Sequence, residues 1–368
     1  MTLPPFYLHP PRRILLVCTQ RIGDVLLATP LARSLKRAWP HAELDFLAFK
    51  GTEGGLAGNP DISRILAFPQ RTDWRGKLSQ FRQLWRHYDL AASTIATDRA
   101  RLYGRVGGRF RVGFMTPEEK GKGWMLDRSL IFDDLDTHTV AMGEKLTELL
   151  GIAPGYEVVP PAVAPDRLAK TLERLAPLAG APYAVLHPFP KYAYKMWRTE
   201  NWAKLARRLQ GLGLTIVLTG GPDADETAYC AGIASQADTL NLAGVLSLAE
   251  TAEIVARSRL FVGPDTAVTH IAAATGVATV ALFGPSNPVK WGPWPKGWQG
   301  PESPWPRVGG GRRGNVHLIQ GTGDCVPCLL EGCDRSLTSL SRCLQEIPVE
   351  AVMAAVTDFG MILENAVD

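Results

Sequence analysis

Short apolar runs alternate with amphipathic stretches through the first half of the chain. Ile14–Cys18 is a continuous apolar run of strand length, whereas the segment from Asp24 to Ala38 has apolar residues at helical spacing. The pattern predicts strands over 13–18, 43–48 and 89–95 and helices over 24–38, 78–87 and 139–150. Such alternation is typical of a parallel sheet that helices cover on both faces.

The second half repeats this pattern. Strands are predicted over 183–187, 215–219, 260–262 and 278–283, and helices over 199–210, 223–235, 247–257, 266–275 and 350–366. Residues 284–324 hold four tryptophans among many Pro and Gly residues, which predicts a long irregular segment.

A proline-rich break over residues 153–166 separates the two halves. Its prolines, which resist both helix and sheet, are Pro154, Pro160, Pro161 and Pro165. We therefore predict a first domain over 1–158, a second over 166–347, and a C-terminal helix over 348–368 that packs back on the first domain. Ligands of doubly wound sheets bind beyond the carboxyl ends of the strands, so the cleft between the domains is the expected site.

Composition places the chain among ordinary globular proteins. Its 368 residues are 46% hydrophobic and 21% charged, and the length favours two domains. The first eleven residues lack the pattern of a signal peptide, and the weakly polar stretch 271–284 is shorter than the about 20 residues that cross a bilayer. We expect a cytoplasmic protein. The net charge of +4 is too small to argue for nucleic acid.

A basic belt follows the third predicted strand. It comprises Arg99, Arg101, Arg105, Arg109, Arg111, Lys120 and Lys122. Charge alone favours a solvated surface, and the alternative is contact with an anionic partner.

The first candidate site lies at the turn from strand to helix around Arg21–Leu26. Gly23 permits a tight turn, and Asp24 stands at the opening of the helix. One interpretation is that Asp24 caps the helix, a common role of aspartate. The other is that Asp24 is a general base, which takes a proton from a sugar hydroxyl.

A similar turn at Gly263–His270 opens a second helix. Backbone N–H groups at a helix start, reinforced by the helix dipole, suit a phosphate. Thr266 and His270 are four residues apart and share one helix face. The alternative is that Asp265 caps the helix and that His270 is a buried histidine with satisfied hydrogen bonds.

Two further strand ends carry charged residues. Lys195, or with less weight Lys191, is positioned to neutralise a departing diphosphate, and the alternative is a surface lysine. An acidic side chain in the turn 220–226 is suited to ribose hydroxyls, although Asp223 is equally suited to capping.

Four of the six cysteines crowd into nineteen residues: Cys325, Cys328, Cys333 and Cys343. In a reducing compartment this crowding favours a structural four-thiolate site for zinc or iron. The alternatives are reduced structural cysteines or an opportunistic disulfide.

Four segments together carry a family resemblance: RIGDVLLATP, HPFPKYAYKMW, GGPDADE and GPDTAVTHIAAATGVATVALFGPS. In this order the chain resembles glycosyltransferase family 9, the ADP-heptose:lipopolysaccharide heptosyltransferases. The resemblance implies an α/β GT-B fold, with two Rossmann-like doubly wound domains that face an interdomain cleft. It also implies sugar transfer with inversion from a nucleotide diphosphate donor, and catalysis without a metal or other cofactor.

The resemblance assigns roles residue by residue. Asp24 would be the base, Lys195 a phosphate ligand and Glu226 the ligand of the donor ribose. The diphosphate would lie at the helix start, on Asp265, Thr266, Ala267 and His270. The chain departs from the family pattern in having Ala267 in place of glycine, Phe189 and Pro190 in place of small or hydroxyl residues, and Asp225 as a rival ribose ligand.

The resemblance also gives the basic belt an interpretation. The implied reaction moves heptose from ADP-heptose to an anionic lipopolysaccharide inner-core acceptor, whose charges arginine binds well. The acceptor ligands would be Arg21, Arg105, Arg109 and Arg111. Because such an acceptor is anchored in a membrane, we expect peripheral contact with the cytoplasmic face of the inner membrane.

Three alternative functions stay open at this point. They are a protein O-heptosyltransferase, a nucleotide-sugar epimerase of the same two-domain shape and a non-catalytic sugar-nucleotide binding protein. Dinucleotide oxidoreductases are disfavoured, because no G-x-G-x-x-G follows the first strand.

Overall fold

The computed structural model describes residues 6, 8–119, 121 and 123–360. The chain divides into two compact units. The first is Met1–Val159 with Gly297–Ser303, and the second is Pro160–Lys296 with Pro304–Asp368. The division falls inside the predicted proline-rich linker, whereas the return of residues 297–303 to the first unit was not predicted.

The first unit is built on a six-stranded parallel sheet. Its strands are β1 (Arg13–Val17), β2 (Glu43–Phe49), β3 (Arg64–Phe68), β4 (Tyr88–Ser93), β5 (Gly108–Met115) and β6 (Arg128–Ile131). Its helices are α1 (Ile22–Leu27), α2 (Thr29–Ala38), α3 (Trp74–Leu84), α4 (Asp98–Gly107), α5 (Thr139–Glu144) and α6 (Leu146–Leu150). The strand order is β3-β2-β1-β4-β5-β6.

One prediction in this unit needs correction. The single helix predicted over 24–38 is two helices, because Pro30 lacks the N–H that would continue the first one. The arginines of the basic belt, for which no element was predicted, lie on α4 and β5. Glycines in α4 weaken the helix pattern in the sequence, yet Gly104 lies so close to β4 that a Cβ there would be 3.3 Å from Ser93 Oγ.

The second unit holds a seven-stranded sheet in the order β12-β13-β11-β10-β7-β8-β9. Its strands are β7 (Tyr183–Leu186), β8 (Thr215–Leu218), β9 (Leu240–Asn241), β10 (Leu260–Pro264), β11 (Thr279–Phe283), β12 (Gly311–Arg313) and β13 (Val316–Gln320). All neighbours are parallel except β12 and β13. The segment 284–324 is therefore not wholly irregular, because β13 extends the main sheet.

Eight helices of the second unit fall within the described residues. They are α7 (Pro165–Glu173), α8 (Thr199–Gln210), α9 (Ala224–Ala234), α10 (Leu248–Ala256), α11 (Ala267–Thr275), α12 (Pro288–Trp291), α13 (Arg342–Gln345) and α14 (Val349–Asp358). Pro165, predicted as part of the linker, instead starts α7, where a missing N–H breaks no helical hydrogen bond.

Helix α14 packs on the second unit, which corrects the prediction that the C-terminal helix packs on the first domain. Val352 and Val356 lie in one buried cluster with Trp202 and Leu205 of α8. The indole of Trp197 donates to the carbonyl of Ile347 at 2.9 Å and fixes the entry to the helix. Apolar faces on α8 and α14 thus meet directly. Residues 361–368 of the predicted helix lie outside the described residues.

The second sheet is apolar on both faces. Leu186, Leu218 and Val262 belong to one buried cluster, whereas their chain neighbours Val185 and Val217 belong to another. Successive residues of a strand point to opposite faces, so helices must cover both sides. The predicted doubly wound α/β architecture is confirmed.

Candidate functional site

Each sheet has one point where the strand order reverses. In the first unit β1 lies beside β4, and in the second β7 lies beside β10. The chain turns away from these neighbours in opposite directions, which opens a crevice at the carboxyl ends of the strands. The predicted residues follow these strands: Asp24 follows β1, Lys195 follows β7 and Asp265 follows β10.

Lys195, Asp265 and Ser286 meet at the carboxyl edge of the second sheet. The Lys195 ammonium donates to Asp265 Oδ2 at 2.5 Å, and the Ser286 hydroxyl donates to the same oxygen at 2.7 Å. Burial alone would raise the pKa of the Asp265 carboxyl, but the charge of Lys195 and the two hydrogen bonds lower it overall. Asp265 therefore stays ionised at neutral pH and holds the lysine in place.

His270 lies one turn into α11 and is buried. Burial, assisted by the charge of Lys195 and opposed by that of Asp265, lowers the pKa of the imidazole to about 4. The ring is thus neutral at pH 7. Its Nδ1 atom has no hydrogen-bond partner within the described residues. A buried polar atom of this kind costs free energy unless a hydrogen-bond partner satisfies it.

Helix α11 begins beside this cluster. Thr266 is the N-cap, and its hydroxyl accepts from the backbone N–H of Thr269 at 3.4 Å. The alternative that Asp265 caps the helix is therefore wrong, because its carboxylate pairs with Lys195 instead. The N–H groups of the first helical residues, beginning at Ala267, have no acceptor within a helix and suit an anion.

Glu226 stands in the first turn of α9, which follows β8 on the same edge of the sheet. Asp223 is the N-cap and accepts from the N–H of Asp225 at 3.1 Å, so the capping interpretation of Asp223 is confirmed. Glu226 is half-buried against Gly221, where a Cβ would lie 2.8 Å from Glu226 Oε2. Burial raises the pKa of Glu226, whereas Asp225 is exposed. Glu226 is thus the more enclosed of the two candidate ribose ligands.

Asp24 occupies the third position of α1 and is half-buried. The N-cap is Arg21, whose backbone N–H donates to Asp24 Oδ2 at 3.2 Å. Asp24 thus helps to cap the helix without being the N-cap residue. A carboxylate accepts several hydrogen bonds at once, so this contact is compatible with proton transfer.

The arginines of the basic belt differ in their surroundings. Arg101 is buried and pairs with Asp98 and Glu119, so it supports the fold. Arg111 forms a bidentate ion pair with Asp127, and both N–O distances are 2.6 Å. Arg105 and Arg109 are exposed, and Arg105 lies over the ring of Trp124. Lys120 and Lys122, also predicted in the belt, lie outside the described residues.

The four crowded cysteines do not form the predicted metal site. Cys325 and Cys333 are exposed, Cys328 and Cys343 are half-buried, and all four are free thiols. No group of three or more His, Cys, Asp or Glu residues in the described part of the chain is arranged to hold a metal ion. Burial raises the pKa of Cys343 to about 11, with further effects from the charges of the three other cysteines.

Within residues 8–119 and 123–360, no helix has the length and the apolar character that a membrane span requires.

Ser286 was not predicted as a site residue, although it stands at the end of a segment that carries the resemblance. The missing information was that β11 lies directly beside β10, so the residues that follow these two strands come together. A hydroxyl after a predicted strand end was the available signal.

Comparison with known proteins defines the family. The model of "Glycosyltransferase family 9 (heptosyltransferase)" matches residues 79–299, which is more than half of the chain. The chain therefore belongs to glycosyltransferase family 9, and the resemblance stated from its motifs is confirmed.

Individual relatives agree with this result. Lipopolysaccharide heptosyltransferase 3 of Escherichia coli K12 is 29% identical over 285 residues, which are 74% of this chain and 82% of that protein. Lipopolysaccharide heptosyltransferase 1 of Pseudomonas aeruginosa is 29% identical over 352 residues, 90% of this chain and 92% of that protein. The solved structure of E. coli heptosyltransferase WaaC with ADP has a TM-score of 0.70 at 18% identity and covers 94% of this chain and 99% of that one. This likeness shows the fold, the two Rossmann-like units of the GT-B class.

Proposed function

We propose that this glycosyltransferase moves heptose from ADP-heptose to an anionic inner-core acceptor of lipopolysaccharide, with inversion at the anomeric carbon. Family membership supports the reaction class, and relatives named for lipopolysaccharide heptosyltransfer support the substrates. The nucleotide is supported by E. coli heptosyltransferase WaaC, a protein of similar structure that was solved with ADP.

The second unit is proposed to hold the donor. Lys195 would face the diphosphate, since an ammonium carries three hydrogens and the bond to Asp265 uses one. The backbone N–H groups at the start of α11, from Thr266 and Ala267 onward, would receive phosphate oxygens. His270 Nδ1 would complete the set, and Glu226 would accept from the ribose hydroxyls.

Asp24 is proposed to be the general base. It would take the proton of an acceptor hydroxyl as that oxygen forms its bond to the anomeric carbon. The bond between the anomeric carbon and the diphosphate breaks at the same time, and ADP leaves with the electron pair. Lys195 and the start of α11 would stabilise the negative charge that grows on the leaving group. None of these steps needs a metal.

The acceptor is proposed to bind the first unit. Arg21, Arg105 and Arg109 would meet its phosphates and carboxylates. Arg111 already forms a bidentate ion pair with Asp127, so it would bind the acceptor only by giving up that partner. We place the protein in the cytoplasm, with peripheral contact to the membrane that anchors the acceptor.

One observation carries the donor part of this proposal. The Nδ1 atom of His270 is buried without a partner, among the described residues, beside an ion pair at the mouth of the α11 turn. A site that leaves such an atom unsatisfied is arranged for an anion that accepts from it.

The test is ADP release from ADP-heptose with and without a lipopolysaccharide acceptor that lacks heptose. We expect release that depends on the acceptor, together with heptose in the product. Donor consumption without an acceptor would indicate an epimerase, and heptose on polypeptide alone would indicate a protein heptosyltransferase. Tight ADP binding without any turnover would leave only a binding protein.

A further inference from the structure

Helix α3 of the first unit presents large apolar side chains to solvent. Trp74 is 69% exposed, Leu78 41% and Trp85, the C-cap residue, 68%. With 3.6 residues per turn these three positions fall within about 40° of one another around the helix axis. They form one continuous face, which we call the α3 face.

Basic residues surround these three side chains. The exposed cations are Arg71, Arg75, Lys77, Arg82 and Arg86, and the segment 71–86 carries one acidic residue, Asp73. None of the five cations forms a salt bridge within the described part of the chain. The guanidinium of Arg75 lies over the ring of Trp74, 5.3 Å from its centre.

The fold does not require this face. An adjacent side of α3 attaches the helix, because Leu84 is buried in the core and Tyr103 donates to the side chain of Gln80. The Asp73 carboxylate caps the helix by accepting from the N–H of Gly76 at 2.8 Å. Exposing two tryptophans costs free energy of solvation, so their presence beside clustered cations indicates a partner.

We propose that the α3 face binds the surface of a bilayer that contains anionic phospholipid. Tryptophan is suited to the headgroup region because its ring is apolar and its N–H is polar. Helices that lie in this region combine aromatic residues with Lys and Arg, whose charges are attracted to anionic lipid. The α3 face has both features, and its five cations match the negative surface.

Charge also distinguishes this partner from a second copy of the chain. A symmetric dimer through α3 would bring the same five cations against each other, which is unfavourable. An anionic bilayer neutralises all of them together. The inference deepens the peripheral membrane contact and rests on the proposed function for the biological role of that contact.

The experiment is co-sedimentation of the full chain with vesicles that contain no acceptor. Vesicles of phosphatidylcholine alone are compared with vesicles that include phosphatidylglycerol. The apolar variant carries Trp74→Ser and Trp85→Ser, and the charge variant carries Arg75→Gln, Lys77→Gln and Arg82→Gln. Matched controls are Trp124→Ser, another exposed tryptophan of the same unit, and a triple variant of exposed cations in the second unit, Lys170→Gln, Lys204→Gln and Arg259→Gln.

We expect the wild-type chain and both controls to prefer the anionic vesicles. Each α3 variant should lose at least about tenfold in partitioning, since each basic residue near the surface adds to the attraction. Raised salt should weaken binding of the wild-type chain. Circular dichroism checks that the variants are folded. If a multiple variant does not fold, the single variant Leu78→Ser replaces it as a milder change of the α3 face.

The proposal is overturned if the wild-type chain ignores anionic vesicles, or if the α3 variants bind them as the wild-type chain does. It is also overturned if the variants change only self-association in sedimentation velocity. A water-soluble, delipidated acceptor separates this proposal from the proposed function. On that acceptor the α3 variants should keep wild-type turnover, whereas failure of the wild-type chain itself would remove the proposed reaction and leave the vesicle result standing.

Discussion

The ion pair of Lys195 and Asp265 shows how one buried carboxylate orders the proposed donor site. Asp265 is held ionised by Lys195 and Ser286, and it in turn fixes the ammonium at the edge of the sheet. His270 is kept neutral, so the cluster without ligand carries one positive and one negative charge. In the proposed donor site, a diphosphate would meet a neutral ring nitrogen and an ammonium that Asp265 holds in position.

The clearest prediction for a single residue concerns Asp24. In Asp24→Asn the side-chain oxygen still accepts from the N–H of Arg21, so α1 is retained while the base is lost. We expect turnover to fall by roughly 10²–10⁴-fold, the usual contribution of a general base. Donor affinity, measured by calorimetry with ADP, should stay unchanged. Turnover close to wild type would remove Asp24 from the reaction.

Two variants distinguish the proposed contact of Lys195 with the donor from its ion pair with Asp265. Lys195→Met leaves the buried charge of Asp265 unpaired, so it should lower the free energy of unfolding by about 3 kcal/mol as well as weaken ADP binding. The double variant Lys195→Met with Asp265→Asn removes both charges and should recover most of that stability. If ADP binding recovers with it, the lysine serves the fold and not the donor.

At the scale of elements, the turns from strand to helix position the residues of the candidate site. Helix α11 follows β10 directly, and its first N–H groups open at the carboxyl edge of the sheet. Gly263 makes this close approach possible, because a Cβ there would lie 2.9 Å from Thr269 Oγ1. The end of the strand and the start of the helix thus form one rigid unit.

Thr266, the N-cap residue of α11, is expected to stabilise the start of this helix. Thr266→Ala removes the hydroxyl that accepts from the N–H of Thr269, which should lower the free energy of unfolding by about 0.5–1 kcal/mol. Because the start of the helix then frays, ADP affinity should fall as well. Thr266→Ser keeps the hydroxyl and is the control. Urea titration and calorimetry measure the two effects, and equal behaviour of both variants would contradict the assignment.

At the scale of the whole molecule, the first unit holds its end of the linker through a buried glutamate. Glu144 of α5 accepts from the Ser34 hydroxyl of α2 at 2.8 Å and from the N–H of Gly155 at 3.0 Å. The next linker residues continue this attachment, since Glu157 pairs with Arg33 and Arg37. Burial raises the pKa of Glu144 to about 7, partly offset by its hydrogen bonds and by the charge of Arg37.

This carboxyl makes stability depend on pH. The folded state keeps the proton of Glu144 up to about pH 7, whereas the unfolded chain releases it near the ordinary value of 4.5. Its contribution to stability is therefore complete at low pH and declines as the pH rises toward 7. The decline is on the order of 3 kcal/mol for a shift of this size.

Glu144→Gln tests this dependence. The amide oxygen still accepts from Ser34 and Gly155 but does not ionise, so the variant should lose this decline between pH 4.5 and about 7. Urea unfolding across that range measures the slope for both proteins. Glu148→Gln, in the neighbouring helix, is the control that should keep the wild-type slope. Parallel slopes for the wild-type chain and Glu144→Gln would show that another group governs the dependence.

The sequence by itself determined the architecture and the chemistry of the strand ends. Apolar runs such as Ile14–Cys18 and the proline-rich break predicted two doubly wound units. A strand that is buried on both faces of a sheet is apolar at nearly every position, and this pattern is visible in the sequence. The motifs predicted the family. They also predicted which turns carry Asp24, Lys195 and Asp265, since such turns use recognisable glycines and polar residues.

Only the tertiary structure decided which of these side chains meet. The adjacency of β11 and β10 brings Ser286 to Asp265, and the facing apolar residues of α8 and α14 place the last helix on the second unit. Within the described residues, the irregular segment from Cys325 failed to form the metal site that its spacing indicated. These results depend on contacts between residues that are far apart in the sequence. The sequence gives the chemical type of each side chain but not which side chains it contacts in the folded protein.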